Sequence, residues 1–101
     1  METSPVPMTA VEMRQAEVTQ YENNIAIYTQ ILATLPTEYP AHLEQYKGAV
    51  NQHEVIAEVE DLDDVELLAK LWYADQCKKM IRSEMVEKTK AQAILNQLLT
   101  N

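Results

Sequence analysis

The sequence predicts an all-α fold: a three-helix antiparallel bundle in a single domain, preceded by an extended N-terminal arm. Three observations lead there. Chain breakers are scarce, with one glycine and four prolines in 101 residues, and the prolines fall in two places, Pro5 and Pro7, then Pro36 and Pro40. Apolar residues recur at alternating steps of three and four, the spacing of one helix face. Two short segments, Pro36–Pro40 and Glu60–Asp64, interrupt that periodicity and leave three stretches of helical length. A chain of 101 residues suits one domain, which buries roughly two thirds of the surface its unfolded form exposes.

Residues 1–8 read as the arm, and residues 9–101 as the helical domain. The first helix is expected over about 9–35. Thr9 followed three residues later by Glu12 is a capping arrangement, in which the hydroxyl accepts from a free backbone N–H. From there Val11, Arg14, Val18, Tyr21, Ile25, Tyr28, Leu32 and Leu35 form a heptad-like stripe that only Arg14 interrupts. Such a helix spans roughly 40 Å at about 1.5 Å per residue. Pro36 ends it, and Pro36–Pro40 is a rigid turn.

The second helix is expected over about 41–60, with Leu43, Tyr46, Val50, Ile56, Ala57 and Val59 as its apolar positions. Gly48 costs about 1 kcal/mol inside a helix; it is read either as a point of close helix approach or as a tolerated defect. The third helix is expected over about 64–99, started by Asp63 and Glu66 in a second capping arrangement. Leu67, Leu68, Leu71 and Trp72 make a dense apolar start, and Ile81, Met85, Ile94, Leu95, Leu98 and Leu99 continue it. The stretch from Asp75 to Lys90 is thin in apolar residues, which leaves room for a kink or break near Tyr73–Gln76.

Charge narrows the function. The net charge is −8, from 16 acids against 8 bases, and a nucleic-acid binder needs the opposite balance to displace counterions. The acids concentrate between Glu54 and Glu66, whereas most of the bases follow from Lys70 onward. The acidic concentration reads either as a solvated surface or as a corner that docks on a basic partner. The single cysteine, Cys77, allows no intramolecular disulfide and fits a reducing compartment. No apolar run approaches the roughly 20 residues of a membrane span. The first residues carry neither the basic start and apolar stretch of a secretory signal nor the arginines of a cleaved mitochondrial presequence. Import by other routes stays open.

Catalytic chemistry has no visible carrier. On one helix His42 and His53 stand about 16 Å apart, too far to share a metal, and nothing else has zinc-ligand spacing. Cys77 has no triad-like neighbours, and one glycine cannot build a phosphate loop. The expectation is a non-enzyme with no metal, no cofactor and no small-molecule substrate. Ile27, Ile31, Trp72, Tyr73 and Leu99 exceed the one stripe per helix that a bundle core needs, so they either complete the bundle or mark a partner surface. The candidate partner-binding residues are Glu58, Glu60, Asp61, Asp64, Trp72 and Tyr73.

The run Ile27-Tyr28-Thr29-Gln30-Ile31-Leu32-Ala33-Thr34-Leu35, then Pro40, then Tyr46-Lys47, resembles the NADH dehydrogenase alpha-subcomplex subunit five family, an accessory part of respiratory complex I. The likeness covers roughly residues 25–66, with Val59 to Glu66 as the short acidic connection before the last helix. Lys47 stands where that family usually has Arg, Trp72-Tyr73-Ala74-Asp75-Gln76 replaces its Gly-Gln start of the last helix, and its Trp-rich tail is absent. The resemblance implies a non-catalytic helical subunit on the matrix arm, without a cofactor of its own. Together these readings make the chain a structural accessory subunit of a large assembly, on the matrix side of the mitochondrial inner membrane or else in the cytoplasm. Its partners would be other protein subunits. The alternatives are an acidic helical adaptor or inhibitor bound to a basic surface, or a homo-oligomeric coiled coil.

Overall fold

The computed structural model describes residues 9–100; the arm expected over residues 1–8 lies outside them. All regular structure among the described residues is helical: α1 (Ala10–Ala33), a 3-10 helix (Ala41–Tyr46), α2 (Gln52–Glu58) and α3 (Leu62–Thr100).

α1 begins as expected. Thr9 is its cap, with Oγ1 accepting from the Glu12 N–H at 3.1 Å, and the Thr9 hydroxyl donates to Glu12 Oε1 at 3.2 Å. The helix stops at Ala33, two residues before the expected end. Pro36 disfavours helical backbone at Leu35, and the Thr34 hydroxyl takes the Ile31 carbonyl at 2.7 Å. The eight stripe residues from Val11 to Leu35 are all buried or half-buried.

That stripe faces α3, which runs antiparallel. Asn24 meets Glu84, Glu22 meets Lys88, and Val18 packs with Ala91 and Leu95, so numbers rise on one helix as they fall on the other. Val11 and Tyr21 close over this outer core. α3 is one unbroken helix of 39 residues through the stretch where a kink or break was expected. Its thin middle is tolerated because the seam positions Glu84 and Lys88 find polar partners across the interface.

The middle of the chain departs from the expected second helix over 41–60. A six-residue 3-10 helix and a seven-residue α2 take its place. Gly48 adopts φ +73°, a left-handed conformation that ends the first piece, and no atom lies within 4 Å of where a Cβ would stand. It is therefore neither a close helix approach nor a helix defect. Asn51 caps α2 by accepting from the Glu54 N–H at 3.3 Å. The segment folds over the first half of α3: Leu43, Leu68 and Trp72 form an inner core, walled by Tyr39, Tyr46, Ala49, Val55, Val59 and Leu67. Leu71, Ala74 and Cys77 continue the buried stripe of α3 at steps of three. The start of α3 also differs. Asp61, not Asp63, holds it, accepting from the Asp63 N–H at 2.9 Å, while the Asp61 carbonyl takes the Val65 N–H.

The result is a rod of 69 × 31 × 23 Å with a thickened end. Its radius of gyration is 20.5 Å, against about 13 Å for a compact domain of this length. No helix among the described residues is long and apolar enough to cross a membrane.

Candidate partner-binding surfaces

The acidic corner forms where α2 turns into α3. Glu58 ends α2, Glu60 and Asp61 lie in the connection, and Asp64 stands in the first turn of α3. All four line one shallow groove of about 310 Å³, together with His42, Leu43, Tyr46 and Val59. Sequence proximity and tertiary placement agree here, because the connection between the helices is too short to separate these residues. Glu58, Glu60 and Asp61 are exposed. Asp64 is partly engaged, with Oδ1 at 3.0 Å from His42 Nε2. His42 belongs to the 3-10 helix and His53 to α2, not to one continuous helix as expected.

Trp72 and Tyr73 do not join that corner. Trp72, expected as a partner-binding residue, is 7% exposed and packs against Leu43 and Leu68, and its indole N–H donates to the Tyr46 carbonyl at 3.1 Å. Its ring is therefore core, because α3 points position 72 under the 3-10 helix. Tyr73, one step round the helix, is 49% exposed and remains available.

Beside Trp72 a second groove, of about 410 Å³, separates the loop after the 3-10 helix from α3. Lys47, Lys78, Lys79 and Arg82 line it, with Gln52 and Gln76. The sequence reading missed this convergence. The spacing of Lys78, Lys79 and Arg82 placed three cations on one turn, but nothing in the chain order pointed to Lys47 as the opposite wall. At the edge of the same groove, the Tyr39 hydroxyl donates to Asp75 Oδ2 at 2.6 Å. Burial first, then that hydrogen bond, then the negative charges of Asp75 and Glu44 push the Tyr39 phenol well above its ordinary value.

The rod itself leaves apolar surface uncovered. Met85 and Val86 on α3 are 54% and 47% exposed, and Ile27, Ile94 and Leu99 are also open. Met85 and Thr89 border two adjoining hollows of about 480 and 550 Å³, one reaching Ile25 on α1 and Asn96, the other reaching Ile81 and Lys78. The two hollows share Met85 and Thr89, and together they make a trough along α3 from Lys78 to Asn96. Of the residues expected to exceed the core, Ile27, Tyr73 and Leu99 are exposed, Ile31 is half-buried and Trp72 is core. Among the described residues no three His, Cys, Asp or Glu side chains are grouped to hold a metal, and Cys77 is buried.

Comparison with protein-family models, with curated protein sequences and with solved structures finds no match to this chain.

Proposed function

We propose that the chain is a non-catalytic structural subunit of a larger protein assembly, with the matrix arm of respiratory complex I as the candidate assembly. The observation that carries this reading is the trough along α3, where Ile25, Ile81, Met85 and Val86 lie among the cations Lys78, Arg82, Lys88 and Lys90. Two helices cannot cover each other's flanks, and the trough from Lys78 to Asn96 is about 27 Å long at 1.5 Å per residue, the length of a five-turn helix. A partner helix laid there would complete the three-helix bundle for which the stripes of this chain are patterned. The acidic corner, with Glu58, Glu60, Asp61 and Asp64, supplies a charged contact at the thick end for a basic protein surface, and Tyr73 adds an exposed aromatic. The choice of complex I, and with it a mitochondrial matrix location, rests on the likeness of Ile27–Leu35, Pro40 and Tyr46–Lys47 to its accessory-subunit family.

The test is native electrophoresis of a chromosomally tagged chain. The wild type is expected in a high-mass band that also stains for NADH dehydrogenase activity. Met85→Glu with Val86→Glu, both at exposed positions, should leave the fold intact by circular dichroism and shift the chain to low mass. Glu58→Gln, Glu60→Gln, Asp61→Asn and Asp64→Asn together should weaken incorporation at low salt, with a smaller defect at high salt, because exposed charges are screened over about 8 Å at physiological ionic strength. A wild-type chain that migrates alone, or only with copies of itself, would overturn the proposal.

A further inference from the structure

The cations of this chain divide into two sets, and two of them, Lys78 and Arg82, also line the near end of the trough on α3. Arg14 pairs with Glu17, Lys70 with Glu66, Lys88 with Glu22 and Lys90 with Glu87. The other four, Lys47, Lys78, Lys79 and Arg82, form no ion pair among the described residues, and all four line the groove of about 410 Å³ beside Trp72. This is unexpected in a chain with 16 acids and 8 bases.

Local sequence explains why the charges stay uncompensated. Three of the four paired cations use an acid three or four residues away on the same helix. Around Lys78, Lys79 and Arg82 the positions three and four away offer only Asp75, whose carboxylate accepts the Tyr39 hydroxyl and lines the same groove, so one acid there faces four cations. Lys78 and Arg82 stand four residues apart, and Lys79 and Arg82 three, so these like charges face each other on the helix surface, an arrangement that costs stability unless an anion relieves it. Lys47 comes from the opposite wall. Its ammonium lies 5.8 Å from the centre of the Tyr39 ring, and Gly48 beside it leaves its side of the groove open. Gln52 and Gln76 add amide donors.

We infer that this groove binds a compact anion carrying two or more phosphoryl groups, with Lys78, Lys79 and Arg82 on one wall and Lys47 on the other. Lys78 to Arg82 spans about 6 Å along the helix axis. Charge concentrated over that length in a bounded hollow matches a di- or triphosphate group better than an extended acidic peptide, whose carboxylates spread along a strand. The chemistry is shared by a soluble polyphosphate and by a multiply phosphorylated lipid headgroup.

Calorimetry with inorganic triphosphate, and sedimentation with phosphatidylcholine vesicles carrying a phosphoinositide bisphosphate, distinguish the two sources. The full chain is expected to bind at least one probe, more weakly as salt rises. Lys78→Gln with Lys79→Gln and Arg82→Gln should weaken binding by about tenfold or more, the equivalent of about 1.4 kcal/mol or more. Lys47→Gln alone should weaken it less, and it tests the opposite wall without touching α3. A control, Arg14→Gln with Lys70→Gln and Lys90→Gln, removes three charges elsewhere and should bind as the wild type does. Vesicle binding without triphosphate binding identifies the headgroup as the source. No binding of either probe, equal loss in the control, or tighter binding of a polyglutamate peptide would overturn the inference.

Discussion

Trp72 donates to a backbone carbonyl from inside the thick end, while the phenol of Tyr73 faces outward, so two adjacent aromatics have separate roles. Trp72→Phe keeps most of the packing but strands the Tyr46 carbonyl, and is expected to lower stability by about 1 kcal/mol in chemical denaturation. Leu68→Ala, at a position with no exposure, should cost about 2–5 kcal/mol through lost contacts and a residual cavity. Tyr39 carries a pH signature. Its phenol holds its proton more tightly in the folded chain than in the unfolded one, so the contribution is complete below about pH 10, the ordinary phenol value, and declines as pH rises past it. Tyr39→Phe lacks both the hydrogen bond and the titration. Thermal melts should therefore show a gap between wild type and variant that narrows in the alkaline range. A gap that stays constant there would mean that neither burial nor Asp75 holds the proton on the phenol.

At the scale of elements, helix ends are where small side chains decide the path. Asp61 anchors the first turn of α3, and Asp61→Ala is expected to cost about 1 kcal/mol, the usual value of a lost cap. Asp63→Ala should cost less, because Asp63 contributes only charge near the positive end of the helix. Measuring both by urea unfolding separates the two assignments. Gly48 is the other control point. Nothing crowds its missing Cβ, so Gly48→Ala isolates backbone strain, expected at about 1 kcal/mol for a left-handed residue.

Taken whole, the molecule is a hairpin of two unequal helices with a folded-over middle, and its register rests on a polar layer. Asn24 donates to Glu84 at 3.3 Å between half-buried side chains, and Lys88 reaches Glu22 at 3.5 Å on the open flank of the helix pair. Polar seam residues give up some stability for a defined pairing. Glu84→Leu with Lys88→Leu is therefore expected to raise the melting temperature and to broaden the distribution of oligomeric states seen by light scattering. A single unchanged species would show that the register is set elsewhere, by the loop or by the inner core.

Much of this protein follows from the order of its residues, because the deciding interactions are local. The cap at Thr9, the stripe from Val11 to Leu35, the stop before Pro36 and the gathering of Glu58, Glu60, Asp61 and Asp64 all depend on neighbours within a few positions. Local pattern misleads where a longer-range contact supplies what the sequence lacks. The apolar-poor middle of α3 stays helical because Asn24 and Glu22 meet it, and the expected second helix breaks because Gly48 turns and the inner core claims Leu43, Tyr46 and Val55. Only the tertiary structure sent Trp72 inward and set Lys47 across from Lys78, Lys79 and Arg82. Helix periodicity determines which residues share a face of one element, but the path of the intervening loop determines which two faces meet.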